Sequence, residues 1–167
     1  MSMNRILVIG GNGSGKSTLS SLLGKKLNLP VVHLDKIFWY GDWQHHTQEE
    51  FDGLLQAELE KPQWIIDGNF SRTLPLRLTY CDTVYYLDFS TVRCLWGVTR
   101  RVLQNYGKLR PDMGGNCRER FSLEFYRSIL SFNRRNRGMT YRLLQESGKD
   151  YVVFKNRRQV KNFLKNI

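Results

Sequence analysis

The stretch that most constrains this chain is Arg5-Ile-Leu-Val-Ile-Gly-Gly-Asn-Gly-Ser-Gly-Lys-Ser-Thr18. Ile6 to Ile9 is a short apolar run of the kind that forms a buried strand. Beyond the glycines, Leu19, Leu22, Leu23 and Leu27 fall on one face of a helix. Between strand and helix, Gly10, Gly15, Lys16 and Ser17 satisfy G-x-x-x-x-G-K-[ST] in the context that pattern requires. A glycine-rich strand-to-helix turn aims several backbone N–H groups at one point, where the helix dipole also favours an anion. Gly10, Gly11, Asn12, Gly13, Ser14, Gly15, Lys16, Ser17 and Thr18 are therefore expected to cradle phosphates. Lys16 is placed to reach the β- and γ-phosphates, and the Ser17 hydroxyl to sit on Mg²⁺.

Further along, Leu29-Pro30 ends the first helix, and Val31 to Leu34 reads as a second strand with Asp35 at its carboxyl end. An aromatic-rich stretch, Phe38 to Trp43, follows. Thr47-Gln-Glu-Glu50 has the spacing of a capping box, and Phe51, Leu54, Leu55 and Leu59 give the helix it opens a core face. Trp64 to Ile66 reads as a third strand, closed by Asp67, and Leu74 to Thr79 as a turn or two of helix. Thr83 to Leu87 is a fourth strand ending at Asp88, after which Ser90 caps a helix running to about Tyr106. Residues 107–120 have neither helical nor strand period, which marks a functional or disordered loop. A long helical pattern from Phe121 to Glu146, bent near Gly138, precedes a last strand at Tyr151–Phe154 and a terminal helix at Gln159–Leu164.

Five short strands alternating with helices argue for an α/β fold, a parallel sheet covered on both faces. Such sheets bind ligands beyond the carboxyl ends of their strands. Gly10, Asp35, Asp67 and Asp88 are all expected there. Asp67 closes an apolar strand as a carboxylate that holds Mg²⁺ through water does, though a strand-end Asp also caps turns. Asp35 is the candidate for accepting a proton from an acceptor hydroxyl or for binding that acceptor. Asp88 either does similar work or opens the capped helix behind it.

The net charge of +11 is unevenly spread. Residues 93–142 carry twelve cations, eleven of them arginine, against Asp112, Glu119 and Glu124, a net of +9. Arginine forks onto phosphate, whereas a merely solvated face uses lysine freely. This half of the chain is read as binding polyphosphate, in a nucleotide or in nucleic acid. No apolar run approaches the ~20 residues of a membrane span, and the first strand begins too near Met1 to leave room for a signal peptide. Cys81, Cys94 and Cys117 suggest neither a disulfide framework nor a zinc site, so a cytoplasmic setting is expected.

Three segments together resemble the adenylate-kinase-type nucleoside monophosphate kinases: the loop at 10–17, the turn Asp67-Gly-Asn-Phe-Ser-Arg72, and the arginine-rich loop at 107–120. In that family a DGFPR-like turn follows the third strand and an arginine-rich lid closes over the phosphates. The chain more closely resembles the DNA topology modulation proteins, small kinase-like ATP-binding chains. That likeness rests on His33-Leu-Asp-Lys-Ile-Phe-Trp39, Trp64-Ile-Ile-Asp-Gly-Asn69, Arg110-Pro-Asp-Met113 and Arg118-Glu-Arg-Phe121.

The resemblance implies a three-layer P-loop NTPase fold, one kinase-like domain over 1–167. Its five-stranded parallel sheet would have the order 2-3-1-4-5, with a basic lid at about 107–120. It implies ATP and Mg²⁺ on residues 10–18, Arg72 on the acceptor, and Arg110, Arg118, Arg134 and Arg137 neutralising the transferring phosphoryl group. With Lys16 and Asp35, these arginines are the catalytic candidates. Phe70-Ser71 departs from the Phe-Pro of the adenylate-kinase turn. Phe38, Trp39, Tyr40 and Trp43 replace the usual acceptor elements, stacking a base or nucleoside, packing as core, or forming a helical hinge packed on the sheet. Lys155-Asn-Arg-Arg158 follows the last strand, where such kinases often hold adenine.

The expected function is an ATP-dependent phosphotransferase acting on a small acceptor such as a nucleotide or nucleoside. Two alternatives accompany it. One is a nucleic-acid-binding protein, with ATP as switch or bystander; the other is a nucleotide-binding pseudoenzyme. Oligomeric state is not legible, and no RNA-recognition motif, zinc finger or clear helix-turn-helix is present.

Overall fold

Alternate residues of a strand face opposite sides of its sheet, and in the first strand that alternation builds both halves of the core. In the computed structural model, which describes residues 4–167, β1 (Arg5–Gly10) sends Ile6 and Val8 to one face and Leu7 and Ile9 to the other. The chain continues as α1 (Lys16–Leu27), β2 (Val31–His33), α2 (Leu34–Phe38), β3 (Trp39–Tyr40) and β4 (Gln44–His45). Next come α3 (Gln48–Leu59), β5 (Trp64–Asp67), α4 (Leu74–Tyr80) and β6 (Thr83–Leu87). The chain ends with α5 (Thr91–Asn105), α6 (Leu123–Glu146), β7 (Asp150–Phe154) and α7 (Arg157–Asn166).

The five main strands are parallel and ordered β2-β5-β1-β6-β7. Setting aside the small β3–β4 hairpin, this is the expected order 2-3-1-4-5. Leu19 and Leu23 of α1, Cys94 and Val98 of α5, and Phe163 of α7 pack on one face. Phe51, Leu55 and Leu59 of α3 and Leu74 and Leu78 of α4 pack on the other. The result is a three-layer α/β fold, and no helix among the described residues is long and apolar enough to cross a membrane.

α6 belongs to both outer layers. Phe125, Tyr126 and Ile129 near its start join the first core cluster, while Tyr141, Leu143 and Leu144 near its end join the second. Its 24 residues, about 36 Å at 1.5 Å per residue, cross the sheet and run unbroken through Gly138. The middle of the helix lies by the carboxyl ends of the strands, where Asn133 donates to the Phe89 carbonyl at 3.0 Å and Ser71 Oγ donates to Asn136 Oδ1 at 3.0 Å.

The structure departs from the sequence expectation at two places. The second strand ends at His33, and Leu34, fully buried, begins α2; Asp35 therefore stands on the first turn of a helix rather than on a strand end. The aromatic stretch then turns back on itself as the β3–β4 hairpin, with Gly41 and Trp43 at φ 56° and 62°. Residues 107–120 are also ordered: Leu109 bridges Arg118, Gly107 N donates to the Glu119 carbonyl at 2.9 Å and Glu119 N to the Lys108 carbonyl at 2.9 Å. The capping box forms as expected, Thr47 Oγ1 accepting from Glu50 N and the Glu50 carboxylate accepting from Thr47 N.

Arg77 of α4 is the least expected core residue. It is fully buried, its fork donates to the carbonyls of Gly68 at 3.1 Å and Phe70 at 2.8 Å, and burial pushes its pKa down to about 10. Arg77→Leu would take the side-chain donor from the buried Gly68 carbonyl, whereas Phe70 O keeps Thr73 N at 3.1 Å and Thr73 Oγ1 at 3.0 Å. The expected result is a loss of about 1–3 kcal/mol in stability, read from the urea midpoint at unchanged slope.

Candidate active site

The strand ends, α5 and the 107–120 excursion enclose a cavity of about 1150 Å³. Its floor is the glycine-rich loop, Asn12 to Thr18. Gly13 is at φ 83°, and a Cβ there would stand 2.2 Å from the Cys94 carbonyl of α5. Reciprocally, a Cβ on Gly97 would stand 2.1 Å from the Gly13 carbonyl, so loop and helix meet backbone to backbone. The Lys16 ammonium, which lines the cavity, is buried and donates to the Gly11 carbonyl at 3.1 Å. Burial pulls its pKa down, opposed by the field of Asp35 and Asp67. Ser14 Oγ is buried with no partner among the described residues.

Asp35 enters from α2. Burial pushes its carboxyl up from the ordinary range, opposed by Lys16 and Arg110. Asp67 lies behind the cavity wall, buried, and accepts from His33 Nδ1 at 2.7 Å. That bond holds His33 above its usual value against the cost of burial. The 107–120 excursion closes the other side. Arg110 forks onto Asp112, Nε to Oδ1 at 3.2 Å and Nη2 to Oδ2 at 2.7 Å, and Ser17 Oγ donates to the same Asp112 Oδ2 at 3.4 Å. Burial works to raise the Asp112 pKa, but the Arg110 fork outweighs it and the carboxyl lies below its usual value. Arg101 of α5 stands 2.7 Å from Glu119 Oε2, and Arg120 lies over the Trp43 ring at 4.8 Å. Aromatic rings finish the wall: Phe38 against Trp39 at 5.1 Å and Phe70 at 5.0 Å, and Trp39 against Trp43 at 5.5 Å.

Lys16, Ser17, Asp35 and Arg110 thus share one cavity, while Gly10, Gly11 and Asp67 stand behind its lining. Four expected arginines face elsewhere. Arg72 pairs with Asp52 at 2.6 Å and 2.9 Å on the surface, because Asp52 of α3 is its nearest counter-charge. Arg118 donates to the Gly107 carbonyl at 2.8 Å, Arg134 is exposed on α6, and Arg137 donates to Asp88 at 2.7 Å. Asp88 is buried and also takes bonds from Tyr141 at 2.7 Å and from Lys155, which makes it the hub of a structural cluster. Sequence reasoning passed over Arg101, Asp112, Glu119 and Arg120 as site residues. The available signal was the acids at 112 and 119, which stand alone within the basic loop.

No protein-family model matches this chain, and no curated protein matches it in sequence. Solved structures do match in fold. Shikimate kinase from Bacteroides thetaiotaomicron matches at TM-score 0.59 and 16% identity, over 99% of this chain and 96% of that one. Shikimate kinase from Acinetobacter baumannii, in complex with shikimate, matches at 0.59 and 15%, over 99% and 90%. A kinase described as putative from Chloroflexus aurantiacus matches at 0.54 and 15%, over 98% and 96%. This chain shares its fold with these solved structures.

The excursion is tied to the hairpin by backbone contact. A Cβ on Gly114 would stand 1.8 Å from the Trp39 carbonyl, and one on Gly115 1.8 Å from Gly41 N. Gly114→Val is therefore expected to lift the excursion away while sparing the core. Trypsin should cleave at Lys108, Arg118 or Arg120 at least tenfold faster, about 1.4 kcal/mol of local opening, with the global urea midpoint little changed.

Proposed function

We propose that this protein is an ATP-dependent phosphotransferase that phosphorylates a hydroxyl of a small acceptor, a nucleotide or nucleoside being the candidate class. The observation that carries the reading is that Lys16 and Asp35 line one cavity and each shifts the other's ionisation. The residues fit the phosphate chain. Lys16 is a buried cation with no carboxylate at salt-bridge distance among the described residues, and the buried Ser14 hydroxyl lacks a partner. A buried charge in that condition calls for an anion. ATP supplies the phosphoryl group, and Mg²⁺ would be held by Ser17 and, through water, by Asp67.

Lys16 and the loop amides hold the phosphates in line with the acceptor. Asp35 takes the acceptor's hydroxyl proton as that oxygen bonds to phosphorus and the bond to the ADP oxygen breaks. Arg110 leaves Asp112 for the charge that develops on the phosphoryl oxygens. Residues 107–120 act as the lid of the one kinase-like domain, excluding water. The likeness to DNA topology modulation proteins would make nucleic acid the partner instead. Against that, Arg101, Arg110 and Arg137 are already paired to Glu119, Asp112 and Asp88. The three free, buried cysteines suit a cytoplasmic setting.

Lys16→Ala should lower kcat by about 10²–10³-fold with far-ultraviolet dichroism and urea midpoint unchanged; undiminished ADP release in an acceptor screen would refute the assignment. Asp35 acts as base only when ionised, and its pKa is raised. The rate should therefore fall as pH drops through that elevated value, above the ordinary carboxylate range. Asp35→Asn should remove this acidic limb and lower kcat about 10²–10⁴-fold.

A further inference from the structure

The charges and rings of the cavity bear on what the acceptor is. Every arginine on the cavity wall already has an internal counterpart. Arg101 stands on Glu119, Arg110 on Asp112 and Arg120 on the face of Trp43. Arg100 and Arg157 flank Trp96 at 5.4 Å and 5.5 Å. That last group lies beside Gly97 and the Gly13 carbonyl, at the phosphate-loop end. The hairpin end presents mainly rings, Phe38, Trp39, Trp43 and Phe70, with one carboxylate, Asp35, and the Arg120 guanidinium over Trp43. It also holds an amide: Asn69 lines the cavity, and its Nδ2 is buried with no partner among the described residues. Trp43 is held at φ 62°, a conformation that is a genuine outlier for so bulky a side chain and clusters at ligand clamps.

Resting on the phosphotransfer reading above, we propose that the acceptor is an uncharged hydroxyl compound bearing a flat heteroaromatic ring, of which a nucleoside is the simplest case. The ring stacks on the Trp39–Trp43 wall, a ring nitrogen or carbonyl accepts from Asn69 Nδ2, and the hydroxyl meets Asp35. A phosphate or carboxylate on the acceptor would need Arg101 or Arg110 pulled from Glu119 or Asp112, or Arg120 taken from the Trp43 face, and would bring a further negative charge toward Asp35. A neutral ring leaves both acid pairs intact and has only to displace or share the Arg120 guanidinium over Trp43.

The test gives the full chain Mg-ATP and a panel of acceptors: ribonucleosides, a hydroxymethylpyridine, the nucleoside monophosphates, and shikimate as an anionic non-aromatic acceptor. ADP release and mass of the product are measured. Transfer is expected to at least one neutral flat compound, with kcat/KM about 100-fold above that for the anionic acceptors. Trp43→Ala and Asn69→Ala should each raise that acceptor's KM about tenfold, the scale of one lost ring stack, with Mg-ATP affinity by calorimetry within about twofold of the parent. Equal or better transfer to the anionic acceptors overturns the inference. So does transfer to an anionic acceptor with none to any flat neutral compound, or an unmoved acceptor KM in Trp43→Ala. Failure of the phosphotransfer reading itself looks different: Mg-ATP does not bind, or no acceptor of either kind is phosphorylated.

Discussion

A buried ammonium with only a carbonyl for company is the constraint around which this molecule is arranged. Lys16 donates to Gly11 O, and its position follows from the loop between β1 and α1. That loop in turn needs α5 packed against it, since Gly13 and Gly97 meet at backbone distance. Taking a cation out of water costs several kcal/mol unless something answers it. Here the nearby carboxylates, Asp35 and Asp67, act through the field rather than by contact. The first turn of α1 and this lysine therefore leave a region of positive potential at the floor of the cavity.

The other cations are treated differently. Arg77 is buried on two carbonyls, Arg137 and Lys155 converge on Asp88, and Arg101 and Arg110 stand on Glu119 and Asp112. A high net charge thus coexists with a site whose arginines are mostly answered from within the chain. Pairing that orients Arg110 also makes its release conditional on something that competes with Asp112. Desolvation makes such competition steep, because breaking a part-buried pair is costly unless a new anion arrives at once.

How much of this was legible beforehand divides along the range of the interactions. The β1–loop–α1 unit, the Thr47–Glu50 box and the Thr83–Leu87 strand depend on neighbours in sequence, and each forms where periodicity and capping residues place it. Sheet order was legible only through family likeness, since nothing in the pattern of apolar runs fixes it. The direction of each arginine does not, because Asp52, Asp88, Asp112 and Glu119 become partners only once the fold is made. The short helix α2 was hidden for a related reason. Leu34 continues the apolar run of β2 in sequence, yet it is fully buried and opens α2, so apolar character alone does not tell strand from helix at this position.

The aromatic stretch shows how a single segment answers two demands. Phe38 packs edge-on to Phe51 at 5.4 Å and serves the core, while Trp39 and Trp43 stand on the cavity wall. The excursion carrying Arg110, Asp112 and Arg120 rests on this same hairpin through Gly114 and Gly115, where no side chain fits. The excursion and the ring wall are consequently one packed unit rather than two independent loops. On the proposed reading, a ligand that stacks on Trp43 must displace or share the Arg120 guanidinium lying over that ring. It would then touch, through Arg120, the same excursion that carries Arg110 and Asp112.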